Sequence, residues 1–384
     1  MKIDNVVKIT ALAYGGNGIG RLDDGRVCFV PGTLPGETVE ICITAEKKRF
    51  VSAQMVRLID KSEHRISPEC PLYGKCPGCC YMHGDYETEF FWKEKQLKDF
   101  LIRSGVAAAE AVKNGFPAPQ REFYRNKLTL HPGENGQAGY YAFDNRSIIP
   151  VDFCRLADRR INGLLPVKGD SLLRCTASGG ARIIKAGKNI QLRENIPGAG
   201  EFLVAGDGFF QVNIPVAAEL IRKVGEIVEA GSSPELLELY CGVGVFSIAL
   251  AEKFPGLRCT GVEVNANAVK FAKINAANHQ VSDRCRFFAG DAGNGLRKFH
   301  NHREFSILLD PPRTGVEKET LKKIIASGAS RIIYISCAAD TLTRDLKLLT
   351  ESGYKVQSSQ LFDMFPCTAH FETLTLLSFH GKRK

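Results

Sequence analysis

The chain has 384 residues, with 51 Lys+Arg against 42 Asp+Glu and a formal net charge of +9. A hydrophobic fraction of 44% and a charged fraction of 24% are ordinary for a folded protein and exclude disordered or collagen-like classes. No apolar run approaches the roughly 18 residues of a membrane span, and MKIDNVVKIT lacks the apolar core of an export signal. The 13 cysteines are therefore expected in a reducing cytoplasm, as thiols, ligands or nucleophiles rather than disulfides. The base excess permits a polyanionic partner without requiring one.

Residues 1–60 read as short strands with glycine turns: VVKITALAY, GGNGIG, RVCFVPG, ETVEICITAE and KKRFVSAQMVRLI. This spacing predicts a small OB-like β-barrel, an architecture that commonly binds oligonucleotides. Residues 62–85 follow as a loop rich in Cys, Pro and Gly, and YETEFFWKEKQLKDFLIRSG reads as a helix. Residues 61–230 form a central mixed α+β domain, with short strands and turns expected over 116–230. Its run of Arg174, Arg182, Lys185, Lys188 and Arg193 contains no acid and offers either a basic face for nucleic acid or a solvated surface.

From about residue 231 the pattern becomes β-α alternation. LLELY, RCTGVEV, CRFFAGD, FSILLDPP and RIIYISC read as strands, with helices between several of them and two closing strands, YKVQSSQLF and HFETLTLLSFH. Such alternation predicts an α/β, Rossmann-like parallel sheet over 231–384 with ligands at the carboxyl ends of its strands.

The first of these strands runs into Cys241-Gly242-Val243-Gly244 and a helix. Glycines there let a ligand approach the backbone closely. Glu263 ends the next strand, about 20 residues on, where an acid can bind ribose hydroxyls. Ser247 stands where dinucleotide binding would favour a third glycine, and no Walker-type loop is present, so a nucleoside without phosphates, S-adenosylmethionine, fits better. Asp291 faces the adenine or caps a helix.

Asp310-Pro311-Pro312 forms a stiff ledge at one strand end, and the next strand delivers Cys337. Glu372 opens the last strand. These three make a chemical set. Carbon 5 of uracil is too weak a nucleophile to attack a methyl sulfonium. A thiolate adding at carbon 6 activates it, and a base must then remove the carbon-5 proton.

LELYCGVGVFSIALA, GVEVN, LLDPPRTG, YISCAADTLTRDL, HFETLTLL and the upstream GFFQVN resemble the motifs of the RNA uracil-5-methyltransferases. The resemblance covers nearly the whole chain. It implies that Gln211, Tyr240, Glu263 and Asp310 bind S-adenosylmethionine, that Cys337 is the nucleophile and Glu372 the proton acceptor, and that residues 1–60 are a TRAM domain. The target it implies is structured RNA, ribosomal in preference to transfer RNA. A monomer is the default. The family usually carries Ser-Cys-Asn-Pro where this chain has Ser336-Cys337-Ala338-Ala339. Other methyltransferases that act on adenine amino groups follow Asp-Pro-Pro with an aromatic residue, whereas Arg313 follows it here.

Cys70, Cys76 and Cys79 have C-x5-C-x2-C spacing, a ligand signal. A tetrahedral zinc site could add His83, and a [4Fe-4S] cluster could add Cys154. The resemblance favours the cluster with Cys70, Cys76, Cys79 and Cys154.

Overall fold

The computed structural model describes residues 5–177, 179–184, 190–231, 233–296 and 304–381. The strands Asn5–Leu12, Gly18–Arg21, Val27–Val30, Thr38–Glu46 and Phe50–Asp60 close into a barrel in which Val27–Val30 pairs parallel with Phe50–Asp60. Burial alternates along Asn5–Leu12, so Val7, Ile9 and Leu12 turn inward while intervening residues face out. Closure removes the exposed edges that short strands would otherwise present.

The largest sheet has eight strands. Its order is Cys285–Ala289, Arg258–Glu263, Glu235–Leu239, Phe305–Leu309, Arg331–Ser336, Glu372–Phe379, Tyr354–Phe362 and Val112–Phe116. The first five run parallel and Glu372–Phe379 pairs antiparallel to Arg331–Ser336. Phe305–Leu309 is buried at every residue, as a strand covered by helices on both faces must be. One core gathers the helices Ile214–Glu229, Val245–Lys253 and Ala266–Asn278, and another gathers Tyr86–Arg103, Lys318–Ser327 and Ala339–Glu351.

Two elements depart from the expected pattern. Ile214–Glu229 is a helix inside the stretch read as strands and turns; Pro215 at its start favours it, and its buried stripe of Val216, Leu220 and Val224 has helical spacing. Val112–Phe116 leaves the central region altogether and pairs with Tyr354–Phe362. The central region itself holds a five-stranded sheet and the hairpin Gln191–Ile196/Gly200–Ala205.

The basic run is corrected in part. Arg174 is fully buried and pairs with Glu194 at 3.1 Å, so it offers no charge to a partner. Arg182 is exposed, and Arg193 is exposed but paired with Glu201. Lys185 and Lys188 lie outside the described residues. No helix among the described residues is long and apolar enough to cross a membrane.

Candidate active site

Sheet register alone assembles the rim. Leu239 pairs with both Val262 and Leu309, so Tyr240, Glu263 and Asp310 follow at one level on three adjacent strands. The chain order reverses between Glu235–Leu239 and Phe305–Leu309, which opens a crevice at these carboxyl ends. Tyr240 has φ +65°, a strained value for a non-glycine residue, and this kink starts the turn. Gly242 has φ +53° and open space where a side chain would project, while a Cβ on Gly244 would lie 2.7 Å from the Phe287 ring. The backbone is thus exposed to a ligand at Gly242 and packed tightly at Gly244. These residues fit a nucleoside methyl donor.

The Glu263 carboxylate accepts from Gly242 N at 3.1 Å and Asn265 N at 2.8 Å, holding the glycine turn while each oxygen keeps acceptor capacity. Ser247, in the third-glycine place, donates its N–H and hydroxyl to buried Glu238, whose carboxyl burial pushes up to about 8. Asp291 caps the short helix Ala292–Gly295. The Gln211 carbonyl accepts from Asn126 at 3.1 Å. Of its neighbours, Phe210 is buried against Arg174, whereas Phe209 is 74% exposed.

Ser336 pairs with Thr373, so the next residues, Cys337 and Glu372, face each other at the strand ends. Thr373 locks this pair by donating its hydroxyl to Ser336 O at 3.1 Å. The Asp310-Pro-Pro-Arg313 loop is tied to the same place, because Thr341 donates to both Arg313 O and Ala338 O. Burial pushes the Cys337 thiol up to about 12; the charges of Glu372 and Asp310 add to this and Arg313 opposes it. Glu372 is also pushed well above the carboxylate range, by burial first and then by Asp310, with Arg313 again opposing. One of its oxygens, Oε2, is buried with no hydrogen-bond partner among the described residues. Burial raises Asp310 to about 7. Two carboxyls and a thiol crowded at one rim hold protons reluctantly released, and Arg313 is the cation that opposes this at both Cys337 and Glu372.

Three contributors carried no strong sequence signal. Arg313 was legible only as the residue after Asp-Pro-Pro. His370 is kept neutral, its pKa lowered to about 4 by burial and by Arg313, Lys93 and Arg125. Tyr14 comes from the barrel, stacks edge-on against Phe371 at 6.0 Å and turns its hydroxyl toward the Ala339 amide. Ala338 is the N-cap of Ala339–Glu351 and supplies no side-chain bond, so the missing Asn is a missing helix cap.

Cys70, Cys76, Cys79 and Cys154 line one cavity together with Tyr73, Tyr140 and Phe153. Asn162 fixes Cys154 by accepting from its N–H at 2.8 Å and donating to its carbonyl at 3.0 Å. Among the described residues no group of three or more His, Cys, Asp or Glu side chains is arranged closely enough to hold a metal ion. His83 shares a 2.5 Å hydrogen bond with the Tyr73 hydroxyl and does not line the cavity.

The family model described as tRNA (Uracil-5-)-methyltransferase matches residues 182–380, and the TRAM domain model matches residues 6–56. The chain belongs to the tRNA (Uracil-5-)-methyltransferase family. It is an S-adenosylmethionine-dependent RNA uracil-5-methyltransferase with an N-terminal TRAM domain. An uncharacterized RNA methyltransferase of Synechocystis sp. is 30% identical over 441 residues, covering 96% of this chain and 94% of its own. One from Gloeobacter violaceus is 29% identical over 442 residues, covering 97% and 95%. Among solved structures, the Pyrococcus abyssi tRNA (uracil-54, C5)-methyltransferase in complex with S-adenosyl-L-homocysteine has a TM-score of 0.72 at 22% identity, covering 97% of this chain and 99% of that one. That likeness extends the family's fold over the barrel, the central region and the catalytic sheet.

Proposed function

We propose that this methyltransferase acts by covalent addition of Cys337 to its target uridine, with Glu372 as the proton acceptor. The observation that carries this reading is the register that sets Cys337 opposite Glu372, with Asp310 and Arg313 alongside. The thiolate of Cys337 adds to carbon 6, and the displaced electron pair moves onto the carbon-4 oxygen as an enolate. Carbon 5 then takes the methyl group, leaving S-adenosylhomocysteine. Glu372 takes the carbon-5 proton, the carbon 5–carbon 6 double bond reforms, and the thiolate leaves. Once Glu372 is ionised, its Oε2, which has no hydrogen-bond partner among the described residues, is available for that proton, and its raised affinity for protons suits it to take one. A target base stacked in RNA must swing out to reach this rim.

In this reading Gln211, Tyr240, Gly242, Gly244, Glu263, Asp291 and Asp310 form the methyl-donor site. Exposed Phe209 offers a stacking face to a base, and the barrel (1–60) and central region (61–230) grip RNA for the catalytic region (231–384). Cys70, Cys76, Cys79 and Cys154 would hold a [4Fe-4S] cluster; that the four cysteines line one cavity supports this. Such a group would supply a structural brace or an RNA contact, since methyl transfer requires no electron.

Ribosomal RNA is the proposed target. Transfer RNA is the second reading, favoured by the matched family's description and by the substrate named for the Pyrococcus abyssi protein. Incubation with 5-fluorouridine-substituted RNA and S-adenosylmethionine tests the chemistry. A denaturant-resistant adduct is expected with the native protein and none with Cys337→Ser. Full methylation by Cys337→Ser would overturn the covalent route. Mapping the uridine that loses its methyl group on gene deletion decides between the RNAs.

A further inference from the structure

Beneath the rim lies a second polar cluster that neither the donor site nor the nucleophile uses. Lys93, Glu89 and Asp363 have side chains with 0% exposure. Lys93 Nζ lies 2.7 Å from Glu89 Oε1 and 2.8 Å from Asp363 Oδ1, and donates to Phe365 O at 3.2 Å. Arg121 adds a second cation, 3.1 Å from Glu89 Oε2, and the Tyr86 hydroxyl donates to Asp363 Oδ2 at 2.9 Å. Burying such a group is costly, and apolar replacements of whole buried ion clusters are often neutral or stabilising. Its use lies in what it orders.

What it orders is the segment 363–368. The Cys367 N–H donates to Glu89 Oε1 at 2.6 Å, and the Cys367 carbonyl accepts from both Cys80 N and Tyr81 N. Tyr124 donates to Pro366 O at 3.0 Å and Asn213 to Met364 O at 3.2 Å. Cys367 itself is held at φ +67°, a strained value that persists only where the surroundings impose it. Five residues later comes Glu372. The backbone beside Cys337, by contrast, is held by hydrogen bonds with Ser336 and Thr341 rather than with the cluster.

We infer that Glu89, Lys93 and Asp363 are positioning residues for Glu372: they fix the turn that aims the proton-accepting carboxylate, whereas the loop at the nucleophile makes its hydrogen bonds with Ser336 and Thr341. This rests on the covalent route proposed above. On that route, the species after methyl transfer joins RNA to Cys337 through carbon 6, and carbon 5 bears both a methyl group and a hydrogen. Only transfer of that proton to the carboxylate lets the double bond reform and the thiolate depart. A displaced carboxylate stalls the reaction at this stage, with natural uridine as well as with the fluorinated analogue.

The test uses the full chain with Glu89→Gln, which is isosteric, and Lys93→Met, with Glu372→Gln as reference. Rates are expressed per molecule able to form the 5-fluorouridine adduct, which removes any misfolded fraction. The expected result is a kcat lowered about 10- to 100-fold, as for a misplacement near 1 Å, with KM for RNA little changed. Ordinary RNA plus S-adenosylmethionine should then leave a denaturant-resistant protein–RNA species, as it should for Glu372→Gln. Normal turnover per competent molecule, slow turnover without that species, or the absence of any competent molecule in both variants would overturn the inference. If Glu372→Gln itself accumulates nothing, it is the covalent route that fails.

Discussion

The thiol of Cys337 is the group whose behaviour the surroundings constrain most sharply. With its pKa pushed up to about 12, roughly one molecule in ten thousand carries the thiolate at pH 8. Alkylation by iodoacetamide follows the thiolate, so its rate at Cys337 should rise about tenfold per pH unit, without an inflection below pH 10. Replacing Glu372 by Gln removes the first electrostatic cause after burial. Directly opposed residues on antiparallel strands have Cβ atoms about 5 Å apart. A unit charge at that range is worth roughly 3 kcal/mol at an effective dielectric of 20, and partial exposure of the thiol reduces this to about 1–2 kcal/mol, or about tenfold. Glu372→Gln should therefore make Cys337 more reactive to iodoacetamide at pH 9 while abolishing turnover. Arg313→Gln should do the opposite to the thiol. Peptide-resolved mass spectrometry separates Cys337 from the other thiols among the 13 cysteines. An inflection at pH 8–9 that ignores both substitutions would refute the account of the site's electrostatics.

Asp310 is raised to about 7 by burial, so the fold binds its proton more tightly than the unfolded chain does. Its contribution to stability is present at low pH and lost as pH rises through 7, so Asp310→Asn should flatten the fall in Tm between pH 5 and 8 while eliminating methyl transfer. Ala338→Asn restores a cap to the helix Ala339–Glu351 and should add about 1 kcal/mol of stability, read as a higher Tm. Cys154→Ala should lower the iron and sulfide recovered with protein purified without air and weaken its visible absorbance, and unchanged iron content would remove Cys154 from the ligand set. Phe209→Ala should weaken RNA binding about tenfold or more, as loss of one stacked base does, with S-adenosylmethionine binding unchanged.

Much of the site was legible because strand ends carry it. A run such as LLELY or RIIYIS announces where its strand stops, and the residue after the stop must stand on the rim. Glu263, Asp310 and Cys337 were found in that way, Glu372 as the residue that opens the last strand, and Tyr240 only through the family resemblance. Arg174 was misread because the run from 174 to 193 lacks an acid, while Glu194, one residue beyond it, becomes its buried partner. Tyr14, Lys93 and Glu89 reach the last segments of the chain from elements far away in sequence. Helical amphipathicity gives no warning that a Lys faces inward, since its partner Asp363 lies 270 residues on. The strand Val112–Phe116 was hidden for the same reason, as only tertiary pairing reveals it.

That strand also bears on how the chain is made. Val112 leaves the ribosome nearly 250 residues before Ser359, the residue it pairs with. During this interval its backbone donors and acceptors have no sheet to join, while the barrel before it can already close. The catalytic sheet receives its outermost strand only when Tyr354–Phe362 arrives, and Glu372–Phe379 must follow to seat both. Nascent chains thus carry an unpaired edge from Val112 until Ser359 is made, a state prone to wrong pairing. Enzyme competent to transfer a methyl group can form only after translation has passed Phe379.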